Sequence, residues 1–246
     1  VSDFQAITCK HPDCSVVIYT AQPLQGSDRP LVVMLHGALR AAAMLAPWGD
    51  LLADIADVVL MDLPGHGRSS HIESGALPVL TTIIQRVVNQ VFADRRVLLV
   101  GESFGGTIAL SIAGQEDVGP VCAVFAADPP LTTAKQWSIQ ENFQRYYVRA
   151  AEHAYAPILG RDFFGAMPNG SVEERIYYPL LGALKVPTVI ASGDVPLHPP
   201  RATHGAIANV IDDVDRLVMA TLYADKVRYV QFTDSGHLLM VRAQAQ

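Results

Sequence analysis

Long apolar runs are missing from this 246-residue chain: stretches such as residues 31–35 and 58–61 are far shorter than a membrane span, which needs about 20 residues. The N-terminus shows no basic segment followed by an apolar one, so a soluble chain with no membrane partner is expected. Basic runs are missing too. The 18 Lys and Arg are scattered among 24 Asp and Glu, for a formal charge of −6, which argues against nucleic acid or an anionic surface as a partner. Cysteine is scarce. Three of them do not build a disulfide framework, so a reducing, cytoplasmic setting is expected. Cys122 reads as buried in an apolar strand. Cys9 and Cys14 bracket Lys10-His11-Pro12-Asp13, a hairpin loop. They could pair across it or, with His11, offer three metal ligands, but with no fourth ligand in sight unpaired thiols and no metal site are expected.

What the chain has is apolar residues, 50% of the total, enough for one domain with a sizeable core. Residues 4–8 and 16–20 alternate as an antiparallel pair would. Short β-type runs then recur at 31–35, 58–61, 97–100, 121–126, 186–191 and 227–232, mostly separated by helical patterns. That alternation implies a largely parallel sheet covered on both faces. Residues 77–93 carry an apolar stripe at helical spacing, and so does the stretch from Ile207 to Val218, where Asp212, Asp213 and Asp215 read as a solvated face.

The alternation breaks between residues 132 and 181, which contain no clear strand. Nine of the chain's 18 aromatic residues lie there, and Ile139, Phe143, Tyr146 and Tyr147 share helical spacing. A structureless loop of this length would be unusual, so a helical cap at 131–182 is expected, inserted into a core formed by 1–130 and 183–246. Its aromatics pack the cap onto the body, and Trp137, Phe143 and Tyr147 are the candidates for lining a substrate pocket.

The chemistry concentrates at residues 97–110, VLLVGESFGGTIAL. A strand buried on both faces runs into a helix through Gly101-Glu102-Ser103-Phe104-Gly105, the G-x-S-x-G pattern. Ser103 must occupy a very tight turn, with its hydroxyl projecting from the sheet's C-terminal edge and helix N–H groups behind it. A serine hydroxyl is a weak nucleophile without a base. His237, in Thr233-Asp234-Ser235-Gly236-His237 after the last strand, is the best of eight histidines for that task. His11, His71 and His153 fall in surface segments, and His198 and His204 flank a Pro-rich loop. An oxyanion needs two donors. The N–H of Phe104 follows the serine, and the N–H of Ala38 lies in His36-Gly37-Ala38-Leu39 after residues 31–35. In Asp62-Leu63-Pro64-Gly65-His66-Gly67-Arg68-Ser69, an Asp62 to Arg68 interaction would be structural.

HGAL, DLPGHGRS, GESFGG and SGH, in this order and over nearly the whole chain, closely resemble the α/β-hydrolase fold superfamily. The resemblance implies an α/β fold: a mostly parallel eight-stranded sheet with helices on both faces, a cap after the sixth strand and a Ser-His-acid triad that needs no cofactor. Serine at the elbow resembles the esterase, lipase, thioesterase, lactonase and carbon–carbon hydrolase branches. The family's acid usually stands three residues after the glycine ending the seventh strand. Here that residue is Pro196, and Asp194 comes directly after Gly193. Asp128, after the sixth strand, occupies a place some members use. Asp194 is the preferred acid and Asp128 the alternative. The expected activity is hydrolysis of small or medium acyl (carboxylic) esters through an acyl-enzyme, the partner being a small acyl substrate. A lyase or carbon–carbon bond hydrolase of this fold, or a hydrolase-like ligand receptor, is the alternative. Oligomeric state stays open.

Overall fold

Two strands are buried along their whole lengths, β3 Leu31–Leu35 and β4 Asp57–Asp62. They sit inside an eight-stranded sheet of order β1-β2-β4-β3-β5-β6-β7-β8. The structure is a computed structural model and describes residues 4–21, 26–148, 154–195 and 208–242. β1 Gln5–Lys10 and β2 Ser15–Thr20 form an antiparallel hairpin whose second strand also runs antiparallel to β4. From β4 onward every pairing is parallel, through β5 Val97–Glu102, β6 Val121–Ala127, β7 Thr188–Ser192 and β8 Val227–Gln231.

Helices cover both faces because strands buried on both sides have no polar face to offer water. On one face, α2 Leu77–Val91 and α3 Phe104–Ala113 bury a core that includes Leu80, Ile84, Phe92 and Ile108. All ten residues of α3 are buried. On the other, a 3-10 turn at Ala42–Leu45, α1 Ala46–Leu52 and α8 Leu239–Arg242 pack near Met34, Leu60 and Ala191. No helix among the described residues is long and apolar enough to cross a membrane.

Between β6 and β7 the chain forms α4 Trp137–Val148, α5 Ala156–Asp162 and α6 Pro179–Ala183. Two isolated bridges, Thr132 with Ile176 and Ala166 with Val172, add the only β pairing in that segment among the described residues. The aromatics of this segment form one stack. Phe143 lies flat against Phe164 at 4.6 Å and Phe163 against Tyr177 at 5.0 Å. Phe163 also meets Phe104 edge to face at 4.8 Å. The segment is therefore anchored on the residue that follows Ser103, and such rings carry large apolar area and pair well in these geometries.

Several expectations need correction. The periodic stretch near residue 210 is not one helix. Ile207 lies outside the described residues, Val210 and Ile211 are buried ahead of the helix, and α7 is Asp213–Leu222. Asp212 caps it in a reciprocal capping box with Asp215, which fixes the start. Asp215 is fully buried rather than solvated, bound by Lys135 and by the Tyr178 hydroxyl. His11 is buried, its Nδ1 accepting the Asp13 N–H at 3.2 Å, while His71 is exposed. Cys122 is half-buried because its strand end is only partly covered, and Cys9, Cys14 and Cys122 are free thiols.

Candidate active site

The parallel strands run outward from β3 in two directions, to β4 on one side and to β5 on the other. The carboxyl ends of β3 and β5 therefore frame a switch point, where open α/β sheets present their crevice. Two glycines let the elbow form there. A Cβ on Gly101 would stand 2.3 Å from the Gly105 carbonyl oxygen, and one on Gly105 would stand 2.5 Å from that of Leu35. Only hydrogen fits at either place, so α3 starts directly against β3.

Ser103 occupies this turn with φ 53° and ψ −118°, a conformation disfavoured for any residue with a side chain. The strain is held by its neighbours. Ser103 N–H donates to Ala127 O at 2.7 Å, and Thr107 N–H donates to Ser103 O at 3.1 Å, so the helix begins at once. Phe104 N–H, in the first turn of α3, and Ala38 N–H have no hydrogen-bond acceptor among the described residues. The Gly37 backbone lies beside the serine, since a Cβ built there would be 3.6 Å from Ser103 Cβ.

Two buried histidines fix the loop that holds Gly37 and Ala38. His36 shares a 2.7 Å bond between Nδ1 and Gly37 O and accepts the Leu63 N–H on Nε2 at 3.0 Å. His66 faces Pro64 O through Nδ1 at 3.0 Å and accepts the Leu39 N–H on Nε2 at 3.0 Å. Each ring must therefore carry its proton on Nδ1 and be neutral. Burial, the largest influence on each, depresses both, His36 to about 3. Asp62 completes the brace, taking the N–H groups of Ala42 and Arg68 at 2.8 Å each. Its contact with Arg68 is thus to backbone.

His237 is buried in the loop after β8, and its Nδ1 lies 2.6 Å from Asp128 Oδ2. Asp128 follows β6 with φ 45° and 0% exposure. Its carboxylate also accepts Val210 N–H on Oδ2 at 2.8 Å and Ile211 N–H on Oδ1 at 3.1 Å. Because an ionised carboxylate only accepts, Nδ1 carries the proton and Nε2 is left with its lone pair. Ser103 and His237 line one cavity of about 590 Å³.

Asp194, the preferred acid from sequence, is elsewhere. Its Oδ1 accepts Ser235 N–H at 3.3 Å, while its own N–H donates to Ser235 O at 3.0 Å. The turn after β7 packs directly on that loop, since a Cβ on Gly193 would fall 1.8 Å from Ser235 O, and this contact holds the Asp194 carboxylate on the Ser235 backbone. Asp194 braces the loop before His237, and Asp128 is the carboxylate at the imidazole. Pro196, His153, His198 and His204 lie outside the described residues.

Residues 32–246 match the alpha/beta hydrolase family. The chain belongs to that family. It is 28% identical over 154 residues to the biotin biosynthesis bifunctional protein BioHC of Cellvibrio japonicus, a match covering 60% of this chain and 29% of that protein. It is 33% identical over 109 residues to the pimeloyl-[acyl-carrier protein] methyl ester esterase of Xanthomonas campestris pv. campestris strain B100, covering 44% of this chain and 41% of that one. The matched segment thus spans less than half the length of either relative. Among solved structures, the thioesterase domain from the curacin biosynthetic pathway superposes with a TM-score of 0.65 at 18% identity, over 98% of this chain and 96% of that one, which bears on fold alone.

The cavity wall of this hydrolase-family chain also differs in part from expectation. Ile139, Phe143 and Tyr146 of α4 line it with Phe164 and Leu238. Trp137 does not. It is 69% exposed and borders a separate shallow cavity on the outer side, about 160° round the helix from Ile139 at 100° per residue. Tyr147 is also turned away, its hydroxyl donating to Ala166 O at 2.7 Å. The i, i+4, i+7 spacing of Ile139, Phe143 and Tyr146 was the available signal for the lining face. Arg40 and Glu102 also line the cavity, and nothing in their local pattern marks them.

Proposed function

We propose that this protein is a serine hydrolase that cleaves small or medium acyl (carboxylic) esters through an acyl-enzyme intermediate. The observation that carries the reading is the 2.6 Å contact of His237 Nδ1 with buried Asp128, with Ser103 in the same cavity. His237 Nε2 takes the Ser103 proton as Oγ adds to the ester carbonyl, and Asp128 holds the tautomer and favours the imidazolium that forms. The Phe104 and Ala38 N–H groups receive the negative charge developing on the carbonyl oxygen. The imidazolium then protonates the departing alkoxide. Water, deprotonated by the same imidazole, releases the acyl group and restores Ser103.

Ile139, Phe143, Phe164 and Leu238 give the cavity an apolar wall suited to an acyl chain. The helices between β6 and β7 act here as a cap. The names of the relatives support the ester bond as the target, since the Xanthomonas protein is named for cleaving a methyl ester. The test is a panel of p-nitrophenyl esters from acetate to decanoate, with intact-protein mass spectrometry during turnover. A mass increase equal to the acyl group, located at Ser103 and absent in Ser103→Ala, is expected. Turnover that persists in Ser103→Ala would overturn the reading.

A further inference from the structure

Glu102 is the last residue of β5 and 1% exposed, a position where an ionisable side chain is rare unless both oxygens are occupied. Here they are, and by two different loops. Oε2 lies 3.3 Å from Nη1 of Arg40, which follows the Gly37-Ala38-Leu39 turn after β3. Oε1 accepts the Met240 N–H at 3.3 Å, three residues beyond His237. Glu102 is itself covalently joined to Ser103. One residue thus joins the serine turn, through its backbone, to the loop bearing Ala38 and the segment following the histidine, through its carboxylate.

We propose that Glu102 is a positioning residue that ties these three loops together, setting the Ser103 and His237 geometry and adding a second negative charge to the field at the imidazole. The inference rests on the reading of Ser103 and His237 as nucleophile and base. The alignment of a nucleophile, a base and two oxyanion donors is sensitive to displacements well under the width of an atom, and among the described residues no other carboxylate contacts both flanking loops. The charged groups that face Glu102 are Arg40 and His237, which favour its ionised form, and Asp128, which opposes it. Burial outweighs them and pushes the Glu102 carboxyl upward, with Arg40 the first of the groups that oppose it.

The test compares Glu102→Gln with the parent chain for p-nitrophenyl acetate hydrolysis between pH 5 and 9. The amide keeps the shape and an acceptor for Met240 N–H but loses the ion pair. A kcat loss of about 10-fold to 100-fold is expected, with KM nearly unchanged and the acid limb of the profile displaced to lower pH. Arg40→Met/Glu102→Gln should lose no more than the single Glu102→Gln change, because both break one tie. If Glu102→Gln does not fold by circular dichroism, Arg40→Met alone must show the kcat loss. A parent-like kcat, or a loss in which the acid limb does not move, would overturn the proposal. Fluorophosphonate labelling of the parent separates this from a failure of the underlying mechanism. Labelling at Ser103 with a parent-like Glu102→Gln defeats only the tie, whereas no labelling at Ser103 defeats both.

Discussion

His237 Nδ1 and Asp128 Oδ2 are 2.6 Å apart across 109 residues of sequence, while Asp194 spends its carboxylate on the Ser235 backbone. Asparagine at Asp128 keeps the shape but can hold the imidazole in the wrong tautomer. Asp128→Asn should therefore lose on the order of 10³-fold to 10⁴-fold in kcat. Asp194→Asn retains an acceptor for Ser235 N–H and should stay within a few-fold of the parent. Steady-state rates on p-nitrophenyl acetate decide between them, and collapse in Asp194→Asn alone would return the acid to β7.

This pair also shows where the sequence stopped being legible. Strands, the elbow and His237 are written locally, as apolar runs, glycines at fixed offsets and a histidine after a strand. Which carboxylate reaches an imidazole depends on two turns at the ends of neighbouring strands. The φ of 45° at Asp128 and the backbone contact at Gly193 decided it, and neither has a local pattern. Burial of Asp215 was hidden for the same reason, since its partners Lys135 and Tyr178 come from the segment between β6 and β7. The aromatic enrichment of that segment was plain. The spacing marks a face but not which neighbour it meets, so sequence alone groups Phe143 with Trp137 and Tyr147 as candidates for the lining.

Chain-length preference should follow the lining. Each buried methylene is worth about 0.8 kcal/mol, so kcat/KM should rise about threefold to fourfold per carbon until the cavity is full. Phe143→Ala and Tyr146→Ala should change that slope, whereas Trp137→Ala, on the outer side, should leave it unaltered. A Trp137→Ala profile that flattens as much as that of Phe143→Ala would show that the wall is misplaced.

His36 predicts an acid sensitivity. Its folded-state pKa is depressed to about 3 by burial, against about 6.5 for an unperturbed histidine. A depressed folded value means that the unfolded chain takes up the proton first. Stability from the neutral ring is present above about pH 6.5 and is lost as pH falls toward 3, by about 1.4 kcal/mol per unit. His36→Gln removes this one titration. In urea unfolding, the variant should be less stable than the parent at pH 8, with the gap narrowing as pH drops from 6.5 to 5, a window above most carboxylate titrations. Parallel stability curves for the two proteins over that window would show that His36 is not the source.

Ser103 carries backbone strain as well as the hydroxyl. At φ 53° and ψ −118° it sits outside the regions open to side-chain-bearing residues, a state that costs on the order of 1–3 kcal/mol. Glycine has no Cβ to clash there, and its extra freedom in the unfolded chain costs only about 1 kcal/mol. Ser103→Gly should therefore be at least as stable as the parent and gain up to about 2 kcal/mol, which is up to about 4–8 °C in Tm for a chain of this size. Ser103→Ala keeps the Cβ, so it should retain the strain and stay close to the parent. Both variants lose the hydroxyl and should be equally inactive toward p-nitrophenyl acetate. The informative quantity is thus the difference in stability between two equally dead proteins. A glycine variant that melts lower than alanine, by the full cost of glycine's freedom in the unfolded chain, would mean that this turn stores no strain for the neighbouring Ala127 and Thr107 hydrogen bonds to hold in place.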